Sequence, residues 1–225
     1  MITNTMERLH GWLNLTRRLD FLAPLLLRLY LGPVFISAGL NKAVAWENTV
    51  EWFGNADWGL GLPLPGLLAF FAVSAELVGG FLLILGLATR YIALPLMVTM
   101  LVAAFSVHWE NGWFAIAPSN PATSMAKPLA SVGIPGAQAS LENSEEVGRR
   151  LNAARGVLRE HGNYSWLTGR GSIVILNNGI EFAVTYFIML LSLFFTGGGR
   201  YLSLDYWLKP ILLRNPQGSE PNVTA

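Results

Sequence analysis

The sequence predicts an all-α polytopic membrane protein, a bundle of four transmembrane helices with an extramembrane helical insert between the third and fourth. Three observations carry that expectation. The 225 residues are 52% hydrophobic and only 13% charged, with a mean hydropathy of +0.43, whereas a soluble domain carries about 25% charged residues. Four apolar runs approach the roughly 20 residues that a bilayer crossing needs. Lys and Arg collect on alternate flanks of those runs, as the positive-inside rule describes.

Residues 1–20 form an amphipathic N-terminal segment, with Met6, Leu9 and Leu13 at helical spacing and Trp12 beside them, which suits an interfacial helix on the cytoplasmic surface. The apolar run after Asp20 contains Arg28 and no clear small-x-small site, so it reads as a retained first span rather than a signal peptide. Residues 21–109 hold three spans, at about 21–43, 65–88 and 91–109. Pro33 and Pro95 lie inside them, and bundle contacts tolerate such kinks. Residues 110–178 form an extracytoplasmic insert. Its first part is rich in Pro, Ala, Ser and Gly and reads as irregular. Its second part, near 144–160, reads as one amphipathic helix, with Asn143 or Ser144 as cap and Glu145 and Glu146 in the first turn, where the helix dipole favours anions. Val147, Leu151, Ala154 and Leu158 make its apolar stripe, which is expected to pack on the outer mouth of the bundle. Arg149, Arg150, Arg155 and Arg159 lie off the stripe, on a face that is either solvated or docks anionic lipid headgroups or a partner. Residues 179–199 supply the fourth span, closed by Gly197, Gly198 and Gly199, and residues 200–225 a cytoplasmic tail. The first loop, 44–64, holds Glu47, Glu51 and Asp57 but no Lys or Arg. Arg8, Arg17, Arg18, Arg90, Arg200, Lys209 and Arg214 flank the opposite ends, so both termini are expected in the cytoplasm.

The second span places a carboxylate, Glu76, near its middle, where a charge costs at least ~2.5 kcal/mol. Such groups face the bundle interior and pair. Counting from the inner ends of the spans at 1.5 Å per residue puts Arg28 ~10 Å deep and Glu76 ~18 Å deep, a gap of ~8 Å. Arg28 is therefore the expected counter-ion, ahead of Lys42. Helix geometry groups Arg28, Gly32, Phe35, Gly39 and Lys42 on one face of the first span. On the second span Ala69, Ala72, Glu76, Gly80 and Leu83 share a face, the small residues permitting close helix approach. His108 ends a face of the third span and Glu181 begins a face with Thr185 on the fourth. Arg28, Glu76, Lys42, His108 and Glu181 make up the expected buried charged network, with Asn41, Asn177 and Asn178 near its outer members. Most aromatics read as interfacial belts: Trp46, Trp52, Trp58, Trp109 and Trp113 outside, and Tyr91, Tyr201, Tyr206 and Trp207 inside. Trp109, Trp113 and Phe114, beside His108, are the strongest candidates to line a ligand, joined by Asn41 and Thr185.

Several chemistries are excluded by the residues themselves. The chain has no cysteine, which removes disulfides, thiolate nucleophiles and cysteine-held clusters. Its three histidines are His10, His108 and His161, and only His108 is at a span, so one chain cannot clamp a haem between two histidines. No metal-ligand spacing or Gly-rich nucleotide loop occurs; "GGGRYLSLD" follows an apolar helix and reads as a membrane exit. A net charge of +1 gives no reason to expect nucleic acid.

In this order, "RLYLGPVFISAGLNK" from Arg28, "ELVGGFLLILGLATR" from Glu76, "HWENGWF" from His108 and the "E…GGGRYLSLD" that starts at Glu181 make the chain resemble the DoxX family of small bacterial and archaeal membrane proteins. The resemblance implies a four-helix membrane bundle in the bacterial inner membrane. It also implies a membrane subunit of a quinone-linked oxidoreductase or redox-stress assembly, with quinone and a redox protein as partners and no redox group encoded by the chain. On those motifs Arg28, Lys42, Glu76, His108 and Glu181 are the functional candidates. The long insert departs from the compact family pattern. A second class stands beside the first: a non-enzymatic membrane carrier, assembly factor or chaperone-like protein, whose buried charges specify packing or hold a polar solute.

Overall fold

The structure is a computed structural model describing residues 16–212, together with Met6, His10, Gly11, Trp12 and Asn14. Leu9 and Leu13 of the expected N-terminal amphipathic segment, and the tail beyond Leu212, lie outside the described residues. Among the described residues the fold is helical, with no strand and one isolated bridge between Ile116 and Leu176.

Three helical stretches are long and apolar enough to cross a membrane. Helix α1 runs Leu22–Val44, α3 runs Pro65–Leu85, and α4, Thr89–Val102, continues through a π-helical turn, Ala103–His108, and a short 3-10 turn to Asn111. At 1.5 Å per residue a 23-residue helix is ~34 Å long, enough for a hydrocarbon core of ~30 Å. A fourth apolar helix, α8, Glu181–Thr196, has 16 residues. Between α1 and α3 the first loop holds a helix that its loop-like composition hides, α2, Trp46–Gly54, which buries Thr49 and Phe53. The insert contains α5, Ala126–Ser131, α6, Ala137–His161, and α7, Tyr164–Leu167, rather than a single helix. Helix α9, Leu204–Leu212, follows the glycine triplet.

The chain divides into two compact units, one taking in the residues up to Thr99 and again from Tyr186, the other Met100–Thr185. In the first, α1 and α3 form the most extensively packed helix pair. A Cβ on Gly32 would stand 2.9 Å from the Gly80 carbonyl, and one on Gly80 2.8 Å from that of Gly32. The two backbones touch there, which only glycine permits. The burial pattern is that of a protein in lipid. Arg28 and Glu76 are buried while Leu26, Phe70, Phe81 and Val98 are exposed, the reverse of a soluble core.

The ends of the spans are closed by specific bonds. Gly86, at φ +65°, ends α3 as the Gly86 and Leu87 amides donate to the Leu83 and Leu82 carbonyls, the paired bonds of a glycine C-cap. Asp205 of α9 then caps α4: its carboxylate accepts from the amides of Ala88 (2.6 Å) and Thr89 (2.9 Å), two of the unsatisfied donors at a helix start. Tyr186 of α8 sets its ring against Tyr30 and Phe35 of α1.

In the second unit α6 starts seven residues before the expected cap. Gly136, at φ +79°, precedes it, and Ser144 lies inside, its hydroxyl donating to the Ser140 carbonyl at 2.9 Å. Val147 and Leu151 are buried as expected, whereas Leu158 is half-buried and Ala154 exposed. Gly148 completes the buried stripe because a Cβ there would stand 2.5 Å from the Ser119 carbonyl. Glu146 accepts from Arg149 and Arg150; the Arg150 hydrogen bond and both cations hold its carboxyl below the usual range.

Candidate functional site

The buried acid of α3 pairs with Lys42, not Arg28. Lys42 Nζ donates to both carboxylate oxygens of Glu76, at 2.6 and 2.7 Å. The Glu76 side chain is 4% exposed and that of Lys42 31%, so the acid is sealed and the lysine side chain is partly accessible. Gly39 makes the room: a Cβ there would lie 3.1 Å from Glu76 Cβ and 2.8 Å from Leu77 Cγ. Thr49 of α2 donates its hydroxyl to the Lys42 carbonyl at 3.0 Å, which anchors α2 beside the pair.

Arg28 occupies a different cradle and is fully buried. It donates to four backbone carbonyls, of Pro24, Leu83, Ile84 and Leu202, at 3.3, 3.4, 3.4 and 2.8 Å. Asp205 acts on it electrostatically. A side chain on Gly86 would overlap the guanidinium. The cradle satisfies a buried cation with carbonyl dipoles, the hydrogen bonding that a desolvated charge needs. Asp205 is a residue that sequence reasoning passed over. Its signal was present, an acid four residues after a tyrosine at the end of a glycine-led exit, but nothing in the sequence shows that it reaches back 117 residues to Ala88.

His108 and Glu181 both work in the second unit. His108 closes the π-helical turn, and its Nδ1 lies 2.8 Å from the Asn178 carbonyl. Asn178 adopts φ +58°, a left-handed conformation that asparagine tolerates. Glu181 Oε2 accepts from the Ala115 amide at 2.9 Å. The segment around Gly179 is laced to 112–117 by backbone bonds, and a Cβ on Gly179 would strike the carbonyls of Gly112 and Phe114. Trp109, Trp113, Phe114 and Glu181 line an open cleft of about 1020 Å³ in this unit. Asn41 and Thr185 are exposed and do not line it. The five expected charged residues therefore do not act as one hydrogen-bonded network. Lys42 and Glu76 pair directly, Arg28 binds carbonyls, and His108 and Glu181 each bond backbone. No cluster of three or more metal-ligating side chains occurs among the described residues.

Apolar helices with an inside-out burial pattern and an ion pair between two of them define an integral membrane protein. The comparisons agree. The DoxX family model matches residues 23–109. A Bacillus subtilis protein named "Putative oxidoreductase CatD" is 35% identical over 83 residues, 37% of this chain and 58% of that protein. An uncharacterized Haemophilus influenzae protein is 34% identical over 40% of this chain and 59% of its own length. The Escherichia coli "Inner membrane protein YphA" is 32% identical over 114 residues, 48% of this chain and 79% of that protein. The chain belongs to the DoxX family. The match spans a little under three fifths of the first two relatives. No solved structure matches the chain.

Proposed function

We propose that the chain is a membrane subunit of a quinone-linked redox assembly, and that the Lys42–Glu76 pair receives the polar head of the quinone. The observation that supports this reading is the asymmetry of the pair. A buried carboxylate needs a partner, but packing alone does not require that partner to stay accessible. Here the Glu76 side chain is 4% exposed and the Lys42 side chain 31%. An ammonium so placed can donate a charge-assisted hydrogen bond to a quinone carbonyl, and the carboxylate behind it holds the ammonium in place. Reduction of a quinone to a quinol takes two electrons and two protons. The electrons come from a partner protein that carries the redox group; the Lys42 ammonium gives one proton to a carbonyl oxygen and is reprotonated from water, which also supplies the second proton. The name of the Bacillus subtilis relative supports a redox setting.

The proposal includes a four-span bundle in which α8, with its flanks, completes the set. Both termini and the Arg90 turn lie in the cytoplasm, and residues 110–178 lie outside. A bacterial inner membrane fits this arrangement and the name of the Escherichia coli relative.

The test is extraction of the chain purified from native membranes, followed by titration with decylubiquinone. Wild-type protein is expected to carry quinone, and Lys42→Met to bind decylubiquinone about 10-fold more weakly, the worth of one charged hydrogen bond at its low end. Protein that carries no quinone and binds none would sink the reading in favour of a non-enzymatic carrier or assembly role.

A further inference from the structure

The cleft of the second unit has a chemistry of its own. Its volume, about 1020 Å³, lies at the upper end for small-molecule sites. Two indoles on its wall, Trp109 and Trp113, remain 58% and 48% exposed, with Phe114 beside them. Two carboxylates, Glu110 and Glu181, complete its polar lining of charged groups, and no Lys, Arg or His among the described residues lines it. Indole faces attract cations through their quadrupole, most strongly when water is excluded. Two acids without a counter-ion on the wall add a net negative field. Glu181 is fixed by the Ala115 amide, so its charge has a set position.

We propose that this cleft binds a small organic cation with an apolar body, held between Trp109 and Trp113 and neutralised by Glu110 and Glu181. A free cation fits better than a lipid headgroup. A phospholipid amine carries a phosphate next to it, and two carboxylates with no cation between them repel that phosphate.

Binding of benzyltrimethylammonium to the full chain in an uncharged maltoside detergent, read by titration calorimetry, tests this. Benzyl alcohol and phenylacetate serve as the uncharged and anionic counterparts. The cation is expected to bind at least ~10-fold more tightly than either, in line with a cation–π and charge contribution of about that size. Glu110→Gln and Glu181→Gln are each expected to weaken it about 5-fold; glutamine at 181 still offers an oxygen to the Ala115 amide. Trp113→Leu is expected to weaken it about 10-fold and Trp113→Phe less than about 3-fold. Glycerophosphocholine at equal concentration is expected not to displace it. No saturable heat with the cation, equal binding of benzyl alcohol or phenylacetate, or a Trp113→Leu and Glu110→Gln pair that both bind like wild type would overturn the proposal. Displacement by glycerophosphocholine would overturn the choice of a phosphate-free ligand. Glu110 makes no contact that holds the fold together among the hydrogen bonds and ion pairs of the described residues, so its variant reports on binding even if Glu181→Gln unfolds.

Discussion

Lys42 reaches Glu76 because a helical side chain tilts toward the N-terminus of its helix. Its ammonium therefore returns about one turn, to the level of Gly39, where no side chain blocks the way. Arg28 tilts the same way and meets the end of α3, at Leu83 and Ile84. Glu76 is seven residues from Leu83, or ~10 Å along the helix, so Arg28 and Glu76 are not partners. A double-mutant cycle separates the two sites. Lys42→Met is expected to cost about 2–4 kcal/mol in detergent by stranding a buried acid, and Glu76→Leu alone a comparable amount, while the double variant recovers much of it. Arg28→Met and Glu76→Leu are expected to add within ~0.5 kcal/mol, as independent sites do. Thermal and denaturant unfolding read both cycles, and strong coupling of Arg28 with Glu76 would contradict the geometry. The buried faces of both helices were legible in the sequence: Arg28, Gly32, Phe35 and Gly39 on one, Ala69, Glu76, Gly80 and Leu83 on the other. Their register was not. Depth counted from span ends carries an error of several residues, and one helical turn of slip exchanges one cation for another.

At the scale of elements, the crossing of α1 and α3 rests on Gly32 and Gly80. Gly32→Ala and Gly80→Ala are each expected to destabilise by about 1–3 kcal/mol, since the new methyl meets a carbonyl and the helices must part. Gly156, inside α6 with nothing within 4 Å of its virtual Cβ, is the counter-case: Gly156→Ala is expected to stabilise by about 0.4–1 kcal/mol through chain entropy and helix propensity. Melting temperatures of the three variants check the contrast, and equal shifts would refute it. Helix existence was readable from apolar length and periodicity, as for α1, α3 and the core of α6. Helix α2 was not, because nine residues holding two Trp and two Glu look like any interfacial loop; only the burial of Thr49 and Phe53 explains it. The start of α6 was misplaced for a related reason. Ser and Asn favour caps, yet Ser144 satisfies its hydroxyl within the helix and leaves capping to the backbone at Gly136.

For the molecule as a whole, the proposed topology predicts which surfaces meet which solution. The chain has no cysteine, so each single substitution is a clean label site. In intact cells Asn55→Cys and Ser172→Cys are expected to react with an impermeant maleimide. Tyr91→Cys and Trp207→Cys are expected to react only after permeabilisation. Helix α8 spans ~24 Å by its 16 residues, short of a ~30 Å core, so its flanks or local thinning must supply the rest. Labelling of Ser172→Cys and Trp207→Cys from the same side would remove α8 as a span.

The Arg28 cradle has a consequence for biosynthesis. Its shortest hydrogen bond, to Leu202, joins residues 174 positions apart, and the Asp205 carboxylate comes later still. At ~5–20 residues per second, a nascent chain holds that guanidinium in the translocon or bilayer for roughly 9–35 s before its last acceptor is made. Leu83 and Ile84 arrive first and offer only partial relief. Maturation of the protein is thus tied to the emergence of the segment around Leu202, and a chain truncated before Leu202 should present an unsatisfied membrane arginine to the quality-control proteases that survey the bilayer.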